Sequence, residues 1–158
     1  MSERLDYRLA NPRALQGMFR LEQAARQGGI EQPLLELVRM RASQINGCAY
    51  CLDMHSKDAR AEGESEQRLY TLSAWRETSF FSERERAALA WTEALTLIAQ
   101  NDVSDDLYAS VSAQFSESEI VALTIAIIAI NGWNRLAIPF RTVPGSYTRT
   151  ADQQPASA

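Results

Sequence analysis

Apolar residues recur along this chain mostly at spacings of three and four, and few residues interrupt the pattern. Between Leu34 and Ile138 there is no proline, and the glycines in that stretch are Gly47, Gly63 and Gly132. So long a stretch with so few breakers predicts helices joined by short turns. Leu15, Met18 and Phe19 share one face of a first helix, opened by Asn11 as N-cap with Pro12 at its first position and closed by Gly28-Gly29. Pro33 opens a second, along which Leu34, Leu37, Val38 and Ile45 recur at helical spacing until Asn46-Gly47. A third is expected from about Cys48 to Gly63, and a fourth around Glu66 to Trp75 with Leu69 and Leu72 inward.

Further on, Ser82-Glu83-Arg84-Glu85 fits a capping box ahead of the stripe Ala87, Trp91, Ala94, Leu95 and Ile98. A shorter helix follows Ser104, over about Asp105 to Gln114. Ser116-Glu117-Ser118-Glu119 is a second capping box, and it opens onto the most apolar run of the chain, Ile120 to Ile130. That run has strand-like composition, but the capping box and the lack of a partner strand predict a buried helix, apolar all round. The expected architecture is all-α, one domain over residues 1–141, with an irregular tail over 142–158 draped on the surface or mobile.

At 158 residues, 46% hydrophobic and 23% charged, the chain has an ordinary globular composition. Its formal charge of −4 argues against a nucleic-acid partner. The N-terminus lacks the apolar segment of a signal peptide. The Ile120–Ile130 run is about half of the ~20 residues a membrane span requires, so no membrane association and a cytoplasmic location are expected. Two cysteines do not make a disulfide scaffold, and close together in a reducing compartment they point to catalysis or metal binding.

Those cysteines stand in Cys48-Ala49-Tyr50-Cys51-Leu52-Asp53-Met54-His55, with the single histidine of the chain. Spacings of three, four and seven put Cys48, Cys51 and His55 on one face of a helix. Gly47 places the thiols in its first turn, where the helix dipole favours a thiolate, and a neighbouring imidazole can accept or donate its proton. Three other readings remain open: two buried small residues, a metal site with three ligands and a carboxylate or water as the fourth, and a thioredoxin-like pair, which the absence of strands disfavours. No metal is expected, because no further Cys or His completes a site. Glu36 borders the apolar stripe of the preceding helix. If the two helices fold back antiparallel at Asn46-Gly47, Glu36 approaches His55 and can orient the imidazole; otherwise it is a surface glutamate paired with Arg39 or Arg41. Trp133, Asn134 and Arg135 read as a helix end packed on the core, with Asn134 and Arg135 capping carbonyls ahead of Pro139, or else as part of the site wall or a subunit contact.

Glu36, Cys48, Cys51 and His55 together resemble the E-x(11)-C-x-x-C-x-x-x-H signature of the AhpD-like alkylhydroperoxidases of the carboxymuconolactone decarboxylase superfamily. LVRMRASQINGCAYCLDMHSKDAR and the segment Ile130 to Leu136 are similar to that branch as well, so the resemblance runs from about Asn11 to Arg141. It implies an AhpD-like helical bundle and a cofactor-free thiol peroxidase acting on organic hydroperoxides or hydrogen peroxide. It further implies that Cys51 attacks the peroxide, Cys48 resolves the sulfenic acid to a disulfide, and His55 with Glu36 relays protons. A dithiol, such as a lipoyl group or a thioredoxin-like protein, would restore the thiols, and homo-oligomers, trimers or hexamers, are implied. The chain departs from the family at Tyr50, which stands where founding members carry a second relay histidine and which, at pKa ~10, is a poor base near neutrality. A disulfide oxidoreductase or a redox-sensing oligomer with little peroxidase turnover is the alternative.

Overall fold

The computed structural model describes residues 2–149. Its helices are α1 (Tyr7–Ala10), α2 (Gln16–Gln27), α3 (Gln32–Asn46), α4 (Ala49–Ala61), α5 (Glu66–Thr71), α6 (Glu83–Thr96), α7 (Asp105–Ser112) and α8 (Glu117–Phe140), with a 3-10 segment Leu72–Glu77 after α5. There is no strand among the described residues, so the all-α expectation holds.

Most of the starts follow the expected chemistry. Ser82 and Ser116 each close a capping box, with Glu85 and Glu119 respectively. Ser104 accepts from the Leu107 amide at the start of α7, and Pro33 sits in the first turn of α3. The first helix differs. Asn11 Oδ1 accepts from the Ala14 amide, but this caps only a turn, and α2 starts at Gln16. Phe19 then points to solvent, 56% exposed, rather than inward. Ahead of it, Asp6 caps the short α1, which the apolar pattern does not reveal. The expected fourth helix breaks after Thr71 into the 3-10 segment, where Ala74 leaves helical backbone geometry. Ile98 falls beyond the end of α6 and is exposed.

Two helices organise the core. α3 buries nine of its fifteen residues, Glu36, Arg39 and Ser43 among them, because α4, α6 and α8 all pack against it. α8 runs 24 residues, through Pro139, and is long and apolar enough to cross a membrane by length and composition. A core helix passes the same test, and here Leu123, Ala126, Ile127 and Ile130 are closed off against α2, α3 and α6. Each fully buried leucine or isoleucine contributes about 2 kcal/mol relative to exposure. Gly28 lets α2 close onto α8: a Cβ there would stand 2.6 Å from Ala122 Cβ.

Arg141 ends α8 in the left-handed conformation, φ 57°. The chain then turns back and runs parallel to α4 as a strap. The Gly145 amide donates to Asp53 Oδ2 at 2.9 Å, Lys57 Nζ donates to the Tyr147 carbonyl at 3.1 Å, and the Tyr147 hydroxyl donates to Asp58 Oδ1 at 2.8 Å. Arg149 pairs with Glu62. The first half of the expected tail is thus draped over the surface at named contacts; 150–158 lie outside the described residues.

Candidate active site

Gly47, at φ 71°, terminates α3 and lets the Cys48 amide reach back to the Ser43 carbonyl at 3.0 Å. This tight turn folds α4 back against α3, which is the antiparallel arrangement that brings Glu36 towards His55. Cys48 is not in the helix. It is the N-cap residue of α4, in extended geometry (φ −87°, ψ 94°), while Cys51 lies in the first turn and His55 one turn further on. The single-face stacking inferred from spacing therefore applies to Cys51 and His55, and Cys48 sits at the helix mouth. All three are buried, and the thiols are free.

Glu36 is fully enclosed and its Oε2 stands 2.7 Å from His55 Nδ1. The other oxygen, Oε1, accepts from Arg39 Nη1 at 2.7 Å and from Gln32 Nε2 at 2.5 Å. Burial by itself would push this carboxyl up; the bond and charge of His55, with Arg39, outweigh it and hold Glu36 down at about 2. An ionised Glu36 accepts only, so Nδ1 carries the proton in this pair. Arg39, 1% exposed, donates through Nη2 to Glu22 Oε1 at 2.8 Å, and Glu22 also accepts from Trp133 Nε1 at 3.3 Å. The chain of contacts thus runs from the α2–α8 seam to the imidazole.

Each thiol changes how readily the other ionises. Cys48 forms no side-chain capping hydrogen bond of ordinary geometry, yet the Cys51 thiol, against the opposing effect of burial, lowers it to about 7, aided by the Cys51 and Tyr50 amides and Asn134. Cys51 moves the other way: its thiol is engaged by Cys48, burial disfavours its charge, and a thiolate at Cys48 repels a second one. Once one of the two thiols is ionised, the other is held protonated beside it.

Asn134 is wholly buried and spans α8 to α3, donating to Ser43 Oγ at 3.1 Å and accepting from Asn46 Nδ2 at 2.8 Å. It is part of the wall around the thiols and does not cap a helix end, since α8 continues for six residues beyond it. Arg135 does return to a carbonyl, that of Asn131. The Tyr50 hydroxyl accepts from Arg8 of α1 at 3.1 Å. Glu36, His55 and Asp58 offer ligand atoms within 4.8 Å of one another. That group contains neither cysteine, and Glu36 and His55 already bind each other.

Asp58 and Tyr147 were not legible as site residues. Tyr147 packs against the cluster holding Cys48 and Cys51, and its hydroxyl binds Asp58; no short-range pattern connects residue 147 with residue 58. Gln32 and Arg39 did carry a signal, because they stand four before and three after Glu36 on one helix face. Asn134 and Ser43 became neighbours only when α8 packed on α3.

The model of the carboxymuconolactone decarboxylase family matches residues 12–94. The uncharacterized YdfG of Bacillus subtilis is 44% identical over 138 residues, covering 87% of this chain and 94% of that protein. A crystal structure from Agrobacterium tumefaciens, of a protein of unknown function proposed to be the antioxidant defence protein AhpD, superposes with a TM-score of 0.89 at 42% identity. It covers 92% of this chain and all of the other. The debrominase Bmp8 shares the fold at TM-score 0.76 and 21% identity, over 87% of this chain and 74% of its own. Matched over half its length by the family model, and by a relative along almost all of it, this chain belongs to the carboxymuconolactone decarboxylase family, as an AhpD-like member.

Proposed function

We propose that this protein is a thiol-dependent peroxidase that reduces organic hydroperoxides or hydrogen peroxide through Cys48 and Cys51. The observation that carries this reading is the placement of two free thiols at the start of α4, one turn from an imidazole held by a buried carboxylate. Two thiols give up two electrons and become a disulfide; the hydroperoxide accepts them, its O–O bond breaks, and alcohol and water leave. Glu36 keeps the Nδ1 proton in place, so that Nε2 of His55 is the nitrogen free to exchange protons. A dithiol of the lipoyl or thioredoxin-like class then reopens the disulfide by exchange.

Assembly into a homo-oligomer accompanies this reading. It is supported by the large apolar side chains that α2 and α8 leave open, among them Phe19, Val121 and Ile128.

The test is consumption of cumene hydroperoxide with dihydrolipoamide as reductant. Steady turnover is expected, lost in both Cys48→Ser and Cys51→Ser, with one intramolecular disulfide by mass spectrometry after one equivalent of peroxide. Turnover of disulfide substrates without hydroperoxide consumption would replace the peroxidase by a disulfide oxidoreductase.

A further inference from the structure

Asp58 follows His55 by one turn of α4 and is half-buried. One carboxylate oxygen of Glu36, one of Asp58 and one ring nitrogen of His55 lie within 4.8 Å of one another. The imidazole therefore has two carboxylates beside it, one from the helix it faces and one from its own.

The two carboxylates are compensated differently. Glu36 faces Arg39 Nη1 at 2.7 Å as well as the ring. Asp58 takes part in none of the thirteen ion pairs formed among the described residues. Its hydrogen bond is to a neutral group, the Tyr147 hydroxyl at 2.8 Å. The other charged groups nearby are engaged elsewhere: on α4 Lys57 pairs with Asp53 and Arg60 with Glu66, and on the strap Arg149 pairs with Glu62. α8 brings the uncharged Asn134 to the thiols and leaves Arg135 exposed. Two carboxylates this close disfavour each other's charge unless a cation stands by them. For Asp58 an imidazolium at His55 is the cation within reach.

Tyr147 is held in place at three points. Its carbonyl accepts from Lys57 Nζ at 3.1 Å, its ring packs against the cluster holding Cys48 and Cys51, and its hydroxyl donates to Asp58. Burial first, then the bond and charge of Asp58, hold its phenol above the usual tyrosine range, so the hydroxyl remains a donor to that carboxylate.

We infer that Asp58 is a second carboxylate of the active site, stabilising the charged imidazole that forms when His55 takes a thiol proton, and that Tyr147 on the strap is the residue that positions it. The effect on turnover rests on the peroxidase reading above; the effect on the imidazole does not. In the step concerned, the proton leaves a thiol and resides on the ring while the thiolate attacks the peroxide. The S–O bond forms, the O–O bond breaks, and the departing alkoxide takes the ring proton to leave as alcohol, which returns the imidazole to its neutral form.

Two measurements test this. His55 is the single histidine of the chain, so one imidazole signal in the proton NMR spectrum of the reduced protein follows its titration without assignment. Asp58→Asn removes the charge, keeps the shape and still accepts from Tyr147; Tyr147→Phe keeps the ring and removes the donor. The titration midpoint should fall by about one unit in Asp58→Asn, because the imidazolium loses a neighbouring anion, and by part of that in Tyr147→Phe. An unchanged midpoint in Asp58→Asn overturns the inference, and an unchanged midpoint in Tyr147→Phe alone overturns the part given to Tyr147. The second measurement is kcat/KM for cumene hydroperoxide with dihydrolipoamide. It should fall by up to about tenfold in Asp58→Asn, the equivalent of one unit, and be restored in part by Asp58→Glu. A shifted midpoint with unchanged kcat/KM overturns the role in turnover. Shifted midpoints in a protein whose wild type consumes no hydroperoxide overturn the peroxidase reading and leave the relation of Asp58 to His55 standing.

Discussion

Glu36 and His55 stand nineteen residues apart in the chain, yet Glu36 Oε2 and His55 Nδ1 meet at 2.7 Å with both side chains closed to solvent. A buried carboxylate facing an imidazole in this way does two things. It sets which ring nitrogen holds the proton, and it fixes the ring in one orientation beside the thiols. Residues that work through one another should not contribute additively. Glu36→Gln and His55→Ala are each expected to slow closure of the Cys48–Cys51 disulfide after a peroxide pulse by about tenfold, the equivalent of one pKa unit. The double variant should be no slower than His55→Ala. Additive losses in stopped-flow thiol quantification would separate Glu36 from the imidazole.

The same carboxylate makes stability depend on pH. Its folded value of about 2 lies below the ordinary 4.5. A depressed carboxyl stabilises the fold fully above the unfolded value and loses that contribution as pH falls through the folded one. Between pH 4.5 and 2 the wild type should therefore lose up to about 3 kcal/mol that Glu36→Gln does not. Urea unfolding at a series of acid pH values measures the difference between the two curves.

Arg39 holds two carboxylates, Glu36 and Glu22, from a position that is 1% exposed. Removing one partner of a buried ion pair leaves the other charge uncompensated, which costs about 3–5 kcal/mol. Arg39→Met should destabilise the protein by that amount, and pairing it with Glu36→Gln should recover part of the loss. Thermal and urea unfolding of the two variants check this.

The thiols predict each other's titration. The Cys51 thiol is the foremost cause of the low Cys48 value, and a thiolate at Cys48 is part of what keeps Cys51 protonated. Alkylation of Cys48 should be half-maximal near pH 7 in the wild type, and Cys51→Ala should move that midpoint upward towards the ordinary thiol value. Cys48→Ala should bring Cys51 down towards the same value from above. Iodoacetamide rates against pH report both midpoints.

Packing between α2 and α8 is testable at Gly28. A methyl group there meets Ala122 Cβ at 2.6 Å, so Gly28→Ala should destabilise by about 1–3 kcal/mol through overpacking. Adding Ala122→Gly removes the obstructing atom and should return most of that, apart from the cost of glycine within a helix. Unfolding midpoints of the two single variants and the double give the coupling energy.

What the sequence determined by itself was local. Ser82, Ser116 and Gly47 start and stop helices through bonds made within a few residues, and the C-x-x-C-x-x-x-H spacing places Cys51 one turn ahead of His55 whatever else the chain does. Only the tertiary structure decided the rest. Whether Glu36 faced water or the imidazole depended on α3 being enclosed by three other helices, and no pattern within α3 shows that. Asn134 near Ser43 and Tyr147 on Asp58 join residues about ninety positions apart. Contacts of that length are made by packing of the whole chain, and the energies that drive packing are spread over many apolar side chains, so no short motif records them. Cys48 shows the boundary between the two. Its distance from Cys51 is written in the sequence, but the extended backbone that puts it at the mouth of α4 and in the wall of a cavity comes from the turn at Gly47 closing against α8 and the strap.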